Sequence, residues 1–105
     1  MGTREIAGVT IDVDDSGYMT DHKLWNRQIA EIFAQEQGIE ELTDRHYAVI
    51  EFMQKEFEEN GTGPSIRKLN KKSGVSTKEL YQLFPNGPAK KAALIAGIPK
   101  PRGCV

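Results

Sequence analysis

From Asp21 to Gly97 the chain is cut repeatedly by glycine, proline or asparagine, and between the cuts apolar residues recur at helical spacing. That punctuation permits only short helices, each with one apolar face to bury against the others. Asp21 is a candidate N-cap, and Trp25, Ile29, Ile32 and Phe33 give a first helix its inward stripe before Gly38 stops it. Thr43-Asp44 opens a second helix. His46, Val49, Ile50, Met53 and Phe57 form its stripe, Glu51, Lys55, Glu58 and Glu59 its wet side, and Asn60-Gly61 its end. A shorter helix starts at Pro64, turns Ile66 and Leu69 inward and closes at Ser73-Gly74. Ser76-Thr-Lys-Glu79 then reads as a capping box, with Val75 and Leu80 as its hydrophobic staple. Leu80, Leu83 and Phe84 face inward, Pro85 ends that helix, and after Asn86-Gly87-Pro88 an alanine-rich helix runs through Ala96 to Gly97.

Ahead of the helices, Arg4 to Val13 alternates and is β-branched around Ala7-Gly8, which predicts a hairpin, and Asp14-Asp-Ser-Gly17 predicts a turn. At 105 residues and 11.7 kDa there is material for one core. The expected fold is mostly α (α+β), a small bundle of about five helices with an N-terminal β-hairpin. Residues 1–97 form one globular domain, with the hairpin near 4–13 and the helices over 22–97. Residues 98–105, Ile-Pro-Lys-Pro-Arg-Gly-Cys-Val, read as a flexible arm, because two prolines favour an extended chain and no periodic apolar face asks for burial. At about 3.1 Å per residue such an arm reaches roughly 20 Å from the last helix.

A formal net charge of −1 excludes a protein whose whole surface is built for nucleic acid. The first residues, Met1-Gly-Thr-Arg-Glu-Ile, contain no apolar signal core, and no stretch approaches the roughly 18 apolar residues of a membrane span. The chain has one cysteine, so no internal disulfide can form. These features predict a cytoplasmic protein without a membrane partner, in which Cys104 is a free thiol.

Cys104 carries the candidate chemistry. A thiolate is both the nucleophile of sulfur exchange and the form that holds a transferred sulfur as a persulfide. A proline-stiffened tether, with Gly103 removing bulk beside the thiol, suits entry into another protein's pocket. Lys100 and Arg102 favour the anion, whereas the carboxylate of Val105 opposes it. The bland alternative is a stray surface thiol; against it stands the exposure of a sole oxidisable group at a tip. The predicted function is relay of a persulfide sulfur from a donor protein to an acceptor.

From Leu80 onward, Leu-Tyr-Gln-Leu-Phe-Pro-Asn-Gly-Pro-Ala-Lys-Lys-Ala-Ala-Leu-Ile-Ala-Gly-Ile-Pro-Lys-Pro-Arg-Gly-Cys-Val closely resembles the DsrC/TusE family. The resemblance extends upstream through Trp25, Gly38-Ile39, Leu42-Thr43 and Pro64-Ser-Ile-Arg67. It implies a mobile C-terminal arm with the sulfur on Cys104, and a sulfurtransferase only in the sense of a protein persulfide carrier without a stand-alone active site. Its implied partners are sulfur-donor and sulfur-acceptor proteins: a relay complex, a tRNA-thiolating enzyme or sulfite reductase. Pro99, Lys100, Pro101 and Gly103 would aim the arm, and Arg67 and Lys90 would position it or dock partners. Members that serve sulfite reduction have a second cysteine, separated from the terminal one by ten residues, where this chain has Ala93. A single-cysteine relay, for example toward tRNA thiolation, is therefore the better match, and a gamma-type partner of dissimilatory sulfite reductase the alternative.

The rival from another class is a helix-turn-helix DNA-binding regulator. Pro64 to Phe84 has that shape, with Arg67, Lys68, Lys71 and Lys72 nearby and Lys78, Tyr81 and Gln82 on the would-be reading helix. Near-neutral charge opposes it, and such helix pairs are common packing. His22 and His46 do not make a metal-ligand set, no phosphate loop or catalytic triad is present, and no cofactor is implied. Trp25 and Tyr47 read as a core and a surface aromatic.

Overall fold

The computed structural model describes residues 2–64, 66–85 and 87–99. Strands β1 (Gly2–Ile6) and β2 (Val9–Val13) pair antiparallel, with Ile6 opposite Val9 and Gly2 opposite Val13. Ala7 and Gly8 both have positive φ, 54° and 77°, the geometry of a two-residue hairpin turn that follows the strand twist. Asp14 Oδ1 then accepts the amides of Ser16 and Tyr18 at 2.9 and 3.0 Å, closing the expected turn. The hairpin docks through Ile6, Ile11 and Val13, and Arg4 reaches across to α1 (Arg27–Glu36), where it pairs with Glu36 and lies over the Phe33 ring.

Helices α2 (Asp44–Asn60), α3 (Ile66–Ser73), α4 (Thr77–Leu83) and α5 (Pro88–Ala96) complete a bundle of five α-helices among the described residues. Thr43 caps α2 and Gly61, at φ 76°, ends it, as the sequence signals require. Helix α5 lies against α1 and α2 and also touches α3 and α4, so it is the central element. Its Ala89, Ala92, Ala93 and Ala96 are all buried, and their small side chains let the neighbouring helices approach closely, while Ile95 fills the remaining space.

Four expectations need correction. The first helix is split: a single 3-10 turn, His22–Leu24, is capped by Asp21, and α1 starts afresh with Asn26 accepting the Ile29 amide at 2.9 Å. Trp25 sits between the two in extended conformation, outside any helix. Pro64 precedes α3, which spans Ile66–Ser73. The capping box at Ser76 is half formed: Ser76 Oγ accepts the Glu79 amide, but the Glu79 carboxylate turns to Arg45 of α2 in a two-pronged pair at 2.7 Å. The full box belongs to α2, where His46 Nδ1 accepts the Thr43 amide at 3.0 Å and His46 Nε2 reaches Leu83 O at 2.9 Å. Finally Ile98, assigned from sequence to the arm, is fully buried in the core.

Candidate functional site

Cys104, Lys100, Pro101 and Gly103 lie outside the described residues, so the site is built here from the point where the chain leaves α5 toward them. A helix end presents four carbonyls without intrahelical partners. At α5 the Gly97 amide returns to Leu94 O at 3.2 Å and the Ile98 amide to Ala93 O at 3.1 Å, with Gly97 at φ 74°. This is the closure that a left-handed glycine makes, followed by an apolar residue packing back on the helix. The other two carbonyls are met by side chains from elsewhere. Trp25 Nε1 donates to Ile95 O at 2.7 Å, and Gln54 Nε2 of α2 donates to Ala96 O at 2.8 Å.

The indole also covers Gly97. A Cβ there would lie 2.6 Å from Trp25 Cδ1 and 2.9 Å from Trp25 Cβ and Cγ, so only glycine fits beneath the ring. Ile98 fills the core behind this contact and Pro99, half-buried, is the last described residue. Burying Ile98 contributes about 1.5–3 kcal/mol to holding the exit in place.

Of the other residues singled out from sequence, Ala93 is fully buried on α5, close to the exit, and its carbonyl takes part in the closure. Lys90 is exposed in the first turn of α5, at the opposite end of the helix. That turn has no acidic residue, and a cation there opposes the helix dipole by about 0.3–1 kcal/mol, so helix stability does not account for Lys90. Its neighbour Lys91 is used internally, reaching Gln37 O beyond α1 at 3.4 Å. Arg67 is exposed on α3, and among the described residues no hydrogen bond or ion pair joins it to α5 or to Pro99. The exit thus unites Ala93, Gly97 and Pro99, while Arg67 and Lys90 stand apart from it.

Sequence reasoning missed Gln54 and Glu56. Glu56 is 5% exposed, meets Lys68 Nζ at 3.2 Å and Lys72 Nζ at 3.8 Å, and accepts Asn60 Nδ2 at 2.6 Å. Its position was a signal, since it follows Met53 by three and Val49 by seven and so falls on the apolar stripe. The lysines expected to form a basic patch on α3 are partly drawn off to it. His22 packs edge-on to Phe57 and His46 edge-on to Phe84, both in structural roles.

Among the described residues, then, an N-terminal hairpin accompanies a small bundle of five α-helices whose last helix end is bound by a tryptophan and a glutamine, and in the sequence the one cysteine follows that helix. A family model described as DsrC like protein matches residues 5–105. The sulfurtransferase TusE of Pectobacterium atrosepticum is 41% identical over 108 aligned positions, covering 96% of this chain and 98% of that protein. The gamma subunit of dissimilatory-type sulfite reductase from Nitratidesulfovibrio vulgaris is 38% identical over 98 residues, 93% of each chain. Among solved structures, Allochromatium vinosum DsrC superimposes with a TM-score of 0.83 at 38% identity, covering 98% of this chain and 97% of that one. The crystal structure of dissimilatory sulfite reductase I gives 0.87 at 36%, covering 99% and 100%. The chain belongs to the DsrC-like family. Among the described residues no helix is long and apolar enough to cross a membrane.

Proposed function

We infer that this protein is a sulfur carrier: Cys104 accepts a sulfane sulfur from a donor protein and passes it to an acceptor, as in a TusE-type relay. The Cys104 thiolate attacks the outer sulfur of a donor persulfide, the donor's S–S bond breaks, and the donor cysteine leaves as its thiolate. The persulfide now on Cys104 is attacked in the same way by an acceptor thiolate, which regenerates Cys104. No electrons are gained or lost in either exchange, so neither step needs an external oxidant or reductant. The protein is a sulfurtransferase in this carrier sense only, with the pocket for each exchange supplied by a partner.

The observation that carries this reading is the family match over residues 5–105, within which the chain's sole thiol, Cys104, follows in sequence the closed end of α5 at Gly97 and Ile98. In this reading Pro99, Lys100, Pro101 and Gly103 aim the thiol, and Arg67 and Lys90 meet partners. The gamma-type role in sulfite reduction is the second reading, favoured by the 38% identity to such a subunit. Ala93 weighs against it, because a chain with one cysteine cannot cycle between a dithiol and an internal disulfide. The DNA-binding reading is weakened by the pairing of Lys68 and Lys72 with Glu56, which diverts two of its five cations.

Incubation with a low-molecular-weight persulfide donor, followed by intact-mass measurement, tests the carrier reading. Uptake of one sulfur, about 32 Da, is expected on the wild type and absent from Cys104→Ser. Equal uptake by that variant would overturn it.

A further inference from the structure

The near-neutral total charge conceals a split along the chain. Residues 1–62 hold fourteen of the fifteen carboxylate side chains and five of the fourteen lysines and arginines, a balance of −9, whereas residues 63–105 hold one and nine, a balance of +8. Helix α3 alone carries four of those nine cations and no acidic residue. They stand in two i, i+4 pairs, Arg67 with Lys71 and Lys68 with Lys72, an arrangement that repels within a helix. For the second pair Glu56 of α2 offsets the repulsion. Arg67 and Lys71 are exposed on the side away from the buried Leu69, and among the described residues no ion pair offsets theirs. Helix α4 packs beside α3. Its Leu80 is buried and its Glu79 turns to Arg45 of α2, so Lys78 and Tyr81, three residues apart, share its outer side. Lys78 is exposed, and Tyr81 is 50% exposed, an unusual position for a large aromatic ring.

We propose that the outer sides of α3 and α4 form a docking surface for an acidic protein partner, in which Arg67, Lys71 and Lys78 meet its carboxylates and Tyr81 is the apolar anchor. It rests on the carrier reading for the identity of that partner, a protein with which Cys104 exchanges sulfur. The surface adds repulsion and exposed ring area to the isolated fold, and an acidic, partly apolar surface would relieve both. A protein fits better than a nucleic acid. Three unpaired cations neutralise few phosphates, and the acidic half of so small a body opposes a polyanion that extends past the patch. A tyrosine ringed by charge is the side chain on which protein interfaces concentrate their binding energy.

The probe is a synthetic glutamate-rich peptide of about 15 residues with leucine at every third or fourth position, the spacing of one helical face. Added to the full chain at low ionic strength, it is expected to shift backbone amide NMR signals of residues 67–82 and to be released as salt rises. Lys71→Glu with Lys78→Glu is expected to weaken binding at least about tenfold, and Tyr81→Ala about threefold or more. Lys71→Gln with Lys78→Gln carries the comparison if charge reversal impairs folding, which the same spectra show. Absence of binding, shifts confined to other elements, or wild-type affinity in the folded variants would overturn the proposal. So would a DNA duplex of about 20 base pairs binding the same face at least about tenfold more tightly than the peptide, which would make the partner a nucleic acid. Failure of the wild type to take up sulfur would instead overturn the carrier reading and leave the peptide result standing, so the two failures are distinguishable.

Discussion

Replacing Gly97 by alanine concentrates several costs at one atom. At φ 74° a residue with a Cβ adopts the left-handed region, at about 1–2 kcal/mol relative to glycine. The new Cβ also falls 2.6–2.9 Å from Trp25 Cδ1, Cγ and Cβ, atoms at the root of the side chain that cannot swing clear without moving the whole ring. Displacing the ring breaks the 2.7 Å bond to Ile95 O and leaves a part-buried carbonyl unpaired, a further 1–3 kcal/mol or about that. The expected destabilisation is therefore about 2–5 kcal/mol, a large share of the roughly 5–15 kcal/mol that holds a domain of this size. With a urea slope of about 1–1.5 kcal/mol/M, the unfolding midpoint falls by about 3 M. Gly97→Asn separates the two causes. Asparagine tolerates the left-handed region, so a contact-driven cost persists in that variant whereas a purely dihedral cost largely disappears. A double-mutant cycle of Gly97→Ala with Trp25→Leu should show coupling of about 1 kcal/mol or more. A midpoint shift below about 0.7 M, or strict additivity in the cycle, would refute the argument that the ring occupies the glycine's missing side chain.

Ala93→Cys places a second thiol at a site with no exposure, so native protein should show one thiol reacting rapidly with a chromogenic disulfide and another reacting at least about 100-fold more slowly until unfolding; equal rates would show that the site opens. Glu56→Gln should cost about 1–2 kcal/mol in urea unfolding, whereas Lys68→Met with Lys72→Met, which leaves the buried carboxylate the Asn60 amide but no cation, should cost about 3 kcal/mol; the reverse order would show that the pairing contributes little. The Glu79 carboxyl is held below its ordinary range, chiefly by the hydrogen bond from Arg45 and also by its charge. Because the folded value is the lower one, this contribution is present above the unfolded carboxyl's value and lost as pH falls through the folded value. Arg45→Gln should move the Glu79 titration, followed by carboxyl-carbon NMR, upward toward the ordinary range; an unmoved midpoint would contradict the pairing.

Elements specified by neighbours in the chain were legible in the sequence. The hairpin follows from alternation and from Ala7-Gly8 with two positive φ values, and the ends of α2 and α5 follow from Thr43, Gly61, Pro88 and Gly97. What escaped depends on contacts distant in sequence. Trp25 fits a helical stripe with Ile29, Ile32 and Phe33, yet its indole is claimed by α5, 70 residues on, and Asn26 supplies the cap that lets the helix restart. Glu79 has the position for a capping box, but the charge-assisted pair with Arg45, 34 residues away, is the stronger interaction. Ile98 did leave a local sign: an apolar residue directly after a left-handed glycine is the one that folds back on the helix it follows.

Several cations of this chain are committed to holding the fold. Arg4 serves Glu36, Arg45 serves Glu79, Lys68 and Lys72 serve Glu56, and Lys91 closes on the chain beyond α1. Arg67 and Lys90 have no such partner among the described residues, both are exposed, and Lys90 stands where the helix dipole disfavours a cation. On the proposed reading their solvated charges would steer encounter with acidic surfaces and add little to the lifetime of the complex, because exposed ion pairs are weak and screened. A carrier that must load on one protein and unload on another needs that balance. Tight docking would slow release, so weak, screened contacts at exposed cations suit that exchange.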